Sequence, residues 1–135
     1  MQIGKHAVVV NGKNDRKYVL NRFYTNFTLP RPESYREDST VAKRAGFSPS
    51  RSERLYADLA AAAESGWDFS SRWFADAETL ETTQTTDIIP ADLNGILYRV
   101  ETILSEMHAQ LGNDRQRDKY KQVRVCSSRA ISRYK

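Results

Sequence analysis

The stretch Asp92-Leu93-Asn94-Gly95-Ile96-Leu97-Tyr98-Arg99-Val100-Glu101-Thr102-Ile103-Leu104-Ser105-Glu106-Met107-His108-Ala109-Gln110-Leu111 decides the fold class. Its apolar residues Leu93, Ile96, Leu97, Val100, Leu104, Met107 and Leu111 recur at the three- and four-residue spacing that lines one face of a helix. The spacing predicts a helix from about Asp92 to Leu111 with one buried stripe. Gly112-Asn113 then breaks the chain, and a further pattern follows at Tyr120, Val123, Ala130, Ile131 and Tyr134. Two helices joined by so short a turn are expected to pack as antiparallel neighbours. The second carries its apolar stripe to the end, like an element that expects further partners.

Two more helices are readable upstream. Ser34-Tyr35-Arg36-Glu37 and Ser50-Arg51-Ser52-Glu53 both fit a capping box, in which a Ser oxygen and a Glu carboxylate satisfy free N–H groups at a helix start. The first helix is expected to stop at Gly46. The second should run through Ala60-Ala61-Ala62-Ala63 to Glu64, with Gly66 just past its end. Before them, Val8-Val9-Val10 and Tyr18-Val19-Leu20 flank Asn11-Gly12, the pattern of two short strands and a turn. The whole reads as a mainly α chain with a short extended N-terminal segment.

Composition bounds the function classes. A chain of 135 residues with 39% hydrophobic and 28% charged residues is ordinary globular material, long enough to bury roughly two-thirds of its surface. Its single cysteine, Cys126, excludes an intrachain disulfide framework, and His6 and His108 are too isolated for a metal site. The longest early apolar run, Ala7-Val8-Val9-Val10, is too short for a signal-peptide core or a membrane span. The formal charge is +4, but Gly112–Lys135 alone carries eight basic and two acidic residues, leaving the rest slightly acidic. Those basic residues alternate around a helix with only Tyr120 and Tyr134 among them, so they read as a solvated helix face and not as a nucleic-acid surface.

Two clusters can carry chemistry. Glu64-Ser65-Gly66-Trp67-Asp68-Phe69-Ser70-Ser71-Arg72-Trp73-Phe74 gathers both tryptophans, two phenylalanines, an Asp and an Arg just past a helix end. Aromatic faces stack on sugar rings, and an Asp partly desolvated between Trp67 and Phe69 suits a general acid, because burial raises a carboxyl pKa. The same residues equally fit an aromatic core plug with a solvated Asp. In Pro30-Arg31-Pro32-Glu33-Ser34 the prolines restrict Arg31 and Glu33 at a helix start. That pair fits a grip on polyol hydroxyls, or a dipole-favoured Glu beside a surface Arg.

Together these residues resemble a known family. Tyr18-Val19-Leu20-Asn21-Arg22-Phe23, Pro30-Arg31-Pro32-Glu33-Ser34-Tyr35-Arg36-Glu37-Asp38, Ala63-Glu64-Ser65-Gly66-Trp67-Asp68-Phe69-Ser70-Ser71-Arg72-Trp73 and Ile89-Pro90-Ala91-Asp92-Leu93-Asn94 are similar, in order and spacing, to the inverting α,α-trehalases of glycoside hydrolase family 37. The resemblance runs from about Val19 to Tyr134. It implies an (α/α)6 toroid, of which residues 1–135 would be a central portion of the catalytic domain. It implies trehalose as substrate and no metal or organic cofactor. Asp68 would be the general acid; Arg31, Pro32 and Glu33 would contact the sugar. Gly66 would lend its backbone where a side chain would clash, and Trp67 would shape the pocket. Many members of the family are secreted, periplasmic or membrane-anchored.

The chain also departs from that family. It lacks the upstream Pro-Gly-Gly-Arg-Phe signature, the downstream Gln-Trp-Asp and Gly-Trp signature, and the catalytic base Glu. Two expectations follow: an acid-bearing section of a trehalase, inactive as an isolated chain, or an inert helical sugar-binding or interaction protein derived from one. A partial toroid is expected to leave apolar helix faces exposed.

Overall fold

A computed structural model describes residues 5–11 and 17–131, with side chains to Gln122. In chain order the elements are β1 (Ala7–Asn11), β2 (Lys17–Asn21), α1 (Tyr35–Arg44), α2 (Pro49–Glu64), α3 (Ala91–Gln110) and α4 (Asp114–Ile131). Short 3-10 turns lie at Pro32–Ser34, Ser71–Trp73, Leu80–Thr82 and Thr85–Asp87. The fold is therefore mainly α with a two-stranded antiparallel sheet, as expected for part of a helical toroid. The chain divides into two compact units, Arg22–Ile88 and the flanking stretches taken together.

In the flanking unit, β1 and β2 pair with Val8 opposite Leu20 and Val10 opposite Tyr18. The Gly12 side of the expected turn lies outside the described residues. Tyr18 and Leu20 are buried against Val10 and Ile89. Asn94, on the first turns of α3, fastens the end of β2: its Oδ1 accepts from Asn21 N at 2.8 Å and its Nδ2 donates to Asn21 O at 2.8 Å. The side-chain amide thus copies the pairing of a neighbouring strand, and Nδ2 also donates to Pro90 O at 2.8 Å.

The hydrophobic stripe of α3 is only partly covered, short of the buried stripe the periodicity predicts: Leu93, Leu97 and Leu104 are half-buried. Ile96 is 63% and Leu111 78% exposed, and Val100 and Met107 are also exposed. The buried side chains are Asn94, Thr102 and Ser105, one line along the helix. Small polar side chains permit close backbone approach and can satisfy themselves locally. Thr102 Oγ1 donates back to Tyr98 O at 2.9 Å, and Ser105 Oγ donates across to Arg117 O of α4 at 3.2 Å. The turn between α3 and α4 has Gly112 at φ 67°, and the His108 and Tyr120 rings stack at 5.7 Å, so the helices are neighbours as expected. The stripe residues expected at Val123, Ala130, Ile131 and Tyr134 lie outside the described side chains.

In the Arg22–Ile88 unit, Ala42, Leu55 and Leu59 form the core with Val41, Phe47, Tyr56 and Leu80 around them. Neither expected capping box forms. Ser34 makes no side-chain cap bond, because the 3-10 turn from Pro32 runs directly into α1 and Ser34 N is bonded to Arg31 O. The cap of α2 is Ser48, whose hydroxyl accepts from Arg51 N, with Pro49 at the first helical position where its missing N–H costs nothing. Ser50 is therefore already inside the helix. Asp58 on α2 is buried and accepts from Thr86 N at 2.8 Å and Thr86 Oγ1 at 2.6 Å, pinning the 85–87 turn to the helix. Burial pushes its carboxyl pKa up, against the hydrogen bonds from Thr86 and the charge of Arg54.

The exposed stripe of α3 gives a direct test. Val100→Glu with Met107→Lys should change stability by no more than about 0.5 kcal/mol. It should keep the far-UV helix signal and reduce binding of an apolar-surface dye. A fall in helix signal would place the stripe in a packed core.

Candidate active site

The Trp67–Phe69 stretch is delivered by the end of α2. Ser65 N and Gly66 N bond back to the last helical carbonyls, Ser65 Oγ donates to Ala62 O at 2.6 Å, and Trp67 N donates to Ser65 Oγ at 3.0 Å. Gly66 sits at φ 72°, the left-handed conformation that ends a helix sharply. A Cβ built there meets nothing within 4 Å. Within the protein itself, then, it is the backbone angle that calls for glycine here.

A tight turn follows. Ser70 N donates to Trp67 O at 3.0 Å, which makes Asp68 and Phe69 the two central residues, and Phe69 takes φ 56°. Glycine is the usual residue at such a position, and an aromatic there carries strain on the order of 1 kcal/mol. The same carbonyl accepts from Trp73 Nε1 at 2.9 Å. Trp73 is 1% exposed and meets Phe23 edge to face at 6.2 Å, so the turn is anchored to the core.

The two tryptophans thus separate in role. Trp73 is the core plug, whereas Trp67 is 55% exposed with the Arg72 guanidinium 4.8 Å from its ring centroid. Asp68 is exposed, which corrects the expectation of partial desolvation. Among the described residues no hydrogen bond reaches its carboxylate, so its oxygens stand open to a ligand.

Arg31 faces this turn. Its guanidinium carbon lies 4.8 Å from the Phe69 ring centroid. It is 8% exposed, between buried Pro30 and Pro32, which opens the 3-10 turn. It is therefore not the surface Arg of the alternative reading, and its partner is Asp38 of α1. Asp38 Oδ2 accepts from Arg31 N at 3.0 Å and Nε at 2.9 Å, and Oδ1 accepts from Nη2 at 2.8 Å. The hydrogen bond to Asp38 holds the Arg31 pKa above its ordinary value; burial opposes this, and the carboxylates of Asp38, Glu33 and Asp68 add attraction. The charges of Glu33 and Asp68 are thus felt at Arg31, whose guanidinium lies against the Phe69 ring. Glu33 and Pro32 are exposed beside it.

Sequence reasoning assigned neither Asp38 nor Phe69. Asp38 closes the same Pro-Arg-Pro-Glu motif, and an acid in the first helical turn downstream of a proline-held Arg is the signal that could have found it. Among the described residues no group of three His, Cys, Asp or Glu side chains is arranged to hold a metal. A separate concavity of about 360 Å³ includes Arg51, Arg54, Asp58, Glu81 and Asp87 and none of the site residues.

The turn thus presents an exposed carboxylate and an exposed indole, with the buried Arg31 guanidinium on the Phe69 ring between Asp68 and Ser70. Comparison with known proteins gives the family. The Trehalase family model matches residues 2–134. The chain is 42% identical over 120 residues to the periplasmic trehalase of Citrobacter koseri, covering 88% of this chain and 20% of that one. It is 45% identical over 108 residues to the trehalase of Dictyostelium discoideum (78% and 18%) and 41% over 121 residues to the trehalase of Homo sapiens (87% and 20%). The chain belongs to the trehalase family and spans about one fifth of the length of these relatives.

The corner after α2 yields a stability test. Gly66→Ala should destabilise the Arg22–Ile88 unit by about 1–2 kcal/mol, and Gly66→Asn by less, because only the left-handed angle is penalised. Denaturant unfolding measures both, and an unchanged midpoint for the alanine variant would show that the angle is not required.

Proposed function

We propose that residues 1–135 form the acid-bearing central part of a trehalase catalytic domain that hydrolyses α,α-trehalose to two glucose molecules with inversion. The observation that carries this reading is the packing of the buried Arg31 guanidinium on Phe69, in the turn that carries Asp68, in a chain of the trehalase family. The apolar stripe left exposed along α3 supports a segment that packs against more protein.

The chemistry sets the roles. Trehalose joins two anomeric carbons through one oxygen, so one glucose must leave with a proton on that oxygen. Asp68 donates that proton as the C–O bond breaks. A water attacks the anomeric carbon from the opposite face and gives its proton to a second carboxylate, the base Glu that this chain does not contain. Inversion needs the two carboxyl groups about 6.5–9.5 Å apart to seat the water. Arg31 and Glu33 hold hydroxyls through a planar donor edge and an acceptor, and exposed Trp67 offers an apolar surface to a ring. Gly66 sets the angle at which this stretch leaves α2. Hydrolysis on this scheme uses no cofactor. No helix among the described residues is long and apolar enough to cross a membrane.

In the longer trehalase polypeptide carrying this segment, Asp68→Asn should lower kcat for trehalose by about 10²–10⁴-fold, measured as glucose release. Its unfolding midpoint should stay unchanged, since the carboxylate is exposed and makes no protein hydrogen bond. A loss below about tenfold would reject Asp68 as the acid.

A further inference from the structure

Asp38 is 2% exposed and spends its whole carboxylate on one residue. It takes the backbone N–H of Arg31 and both donors of the Nε–Nη2 edge, so side chain and main chain are fixed by the same two oxygens. Nη1 is not part of that fork. The face of the same guanidinium is covered by Phe69, which adopts a backbone angle that aromatic side chains rarely take. The strain sits in the residue directly after Asp68, and the conformation brings the ring onto Arg31. Strained residues persist where their surroundings over-determine them, often at functional sites.

We propose that Asp38 and Phe69 are positioning residues for sugar recognition, locking the Arg31 guanidinium by edge and by face so that its remaining donors stand next to the Asp68 turn. Asp38 sets the direction of the fork, and Phe69 ties the Pro30–Glu33 segment to the turn that carries the acid. A planar donor held in this way loses less freedom on meeting a hydroxyl than a mobile one. The inference rests on the roles of Arg31 and Asp68 proposed above.

The test is a double-mutant cycle on trehalose hydrolysis in the longer polypeptide, with Asp68→Asn as reference. Asp38→Asn should lower kcat/KM by about tenfold or more, and Phe69→Leu by about three- to fivefold. Placed in an Arg31→Lys background, each should cost less than about twofold, because both act through the guanidinium. Phe69 is partly exposed, so Phe69→Leu carries the test even if Asp38→Asn fails to fold. Losses that multiply in full in the Arg31→Lys background would overturn the proposal and leave both residues purely structural. Asp68→Asn retaining turnover would instead overturn the acid assignment beneath it, and the two failures are told apart by that one variant.

Discussion

The buried Arg31–Asp38 ion pair is the constraint on which the site depends. A guanidinium at this depth is costly without a partner, and removing one member of such a pair commonly costs about 3–5 kcal/mol. Here the partner is a carboxylate in the first turn of α1, where the helix dipole already favours negative charge. The pair therefore fixes three things at once: the path of the Pro30–Glu33 segment, the start of α1, and the orientation of the guanidinium that packs on Phe69 of the Asp68 turn.

The second support is the corner after α2. An alanine-rich helix with Leu59, Ala61 and Ala62 fully buried supplies a rigid base, and Gly66 ends it sharply. The Trp67 carbonyl then accepts from both Ser70 and Trp73, so the Asp68 carboxylate sits on a short turn anchored to the core. Precise chemistry from a loop needs this kind of anchoring. The exposure of Asp68 fits a donor that must reach a bound oxygen.

Much of this was legible in the sequence, and the exceptions have physical reasons. The helices and the strand pair follow from periodicity, breakers and turn residues, and the long Pro-Arg-Pro-Glu and Gly-Trp-Asp motifs carried the family. The buried face of α3 was misjudged because Asn94, Thr102 and Ser105 pack closely with their polar atoms hydrogen-bonded, while Ile96, Val100, Met107 and Leu111 are left exposed. Periodicity reports where apolar side chains lie on a helix, not whether anything covers them. The start of α2 was displaced by a better cap, Ser48 before Pro49. Asp38 as partner of Arg31 was hidden because a fork spanning seven residues depends on the geometry of the turn between them. Phe69 was hidden because a positive φ in an aromatic residue has no sequence signature.

Whether Asp68 is the proton donor is tested most directly by changing the leaving group. Fluoride departs from a sugar without needing a proton, whereas the second glucose of trehalose does not. The Asp68→Asn form of the longer polypeptide should lose trehalose hydrolysis yet turn over α-glucosyl fluoride within about tenfold of the unsubstituted protein. Equal loss on both substrates, or retained trehalose turnover, would contradict the account.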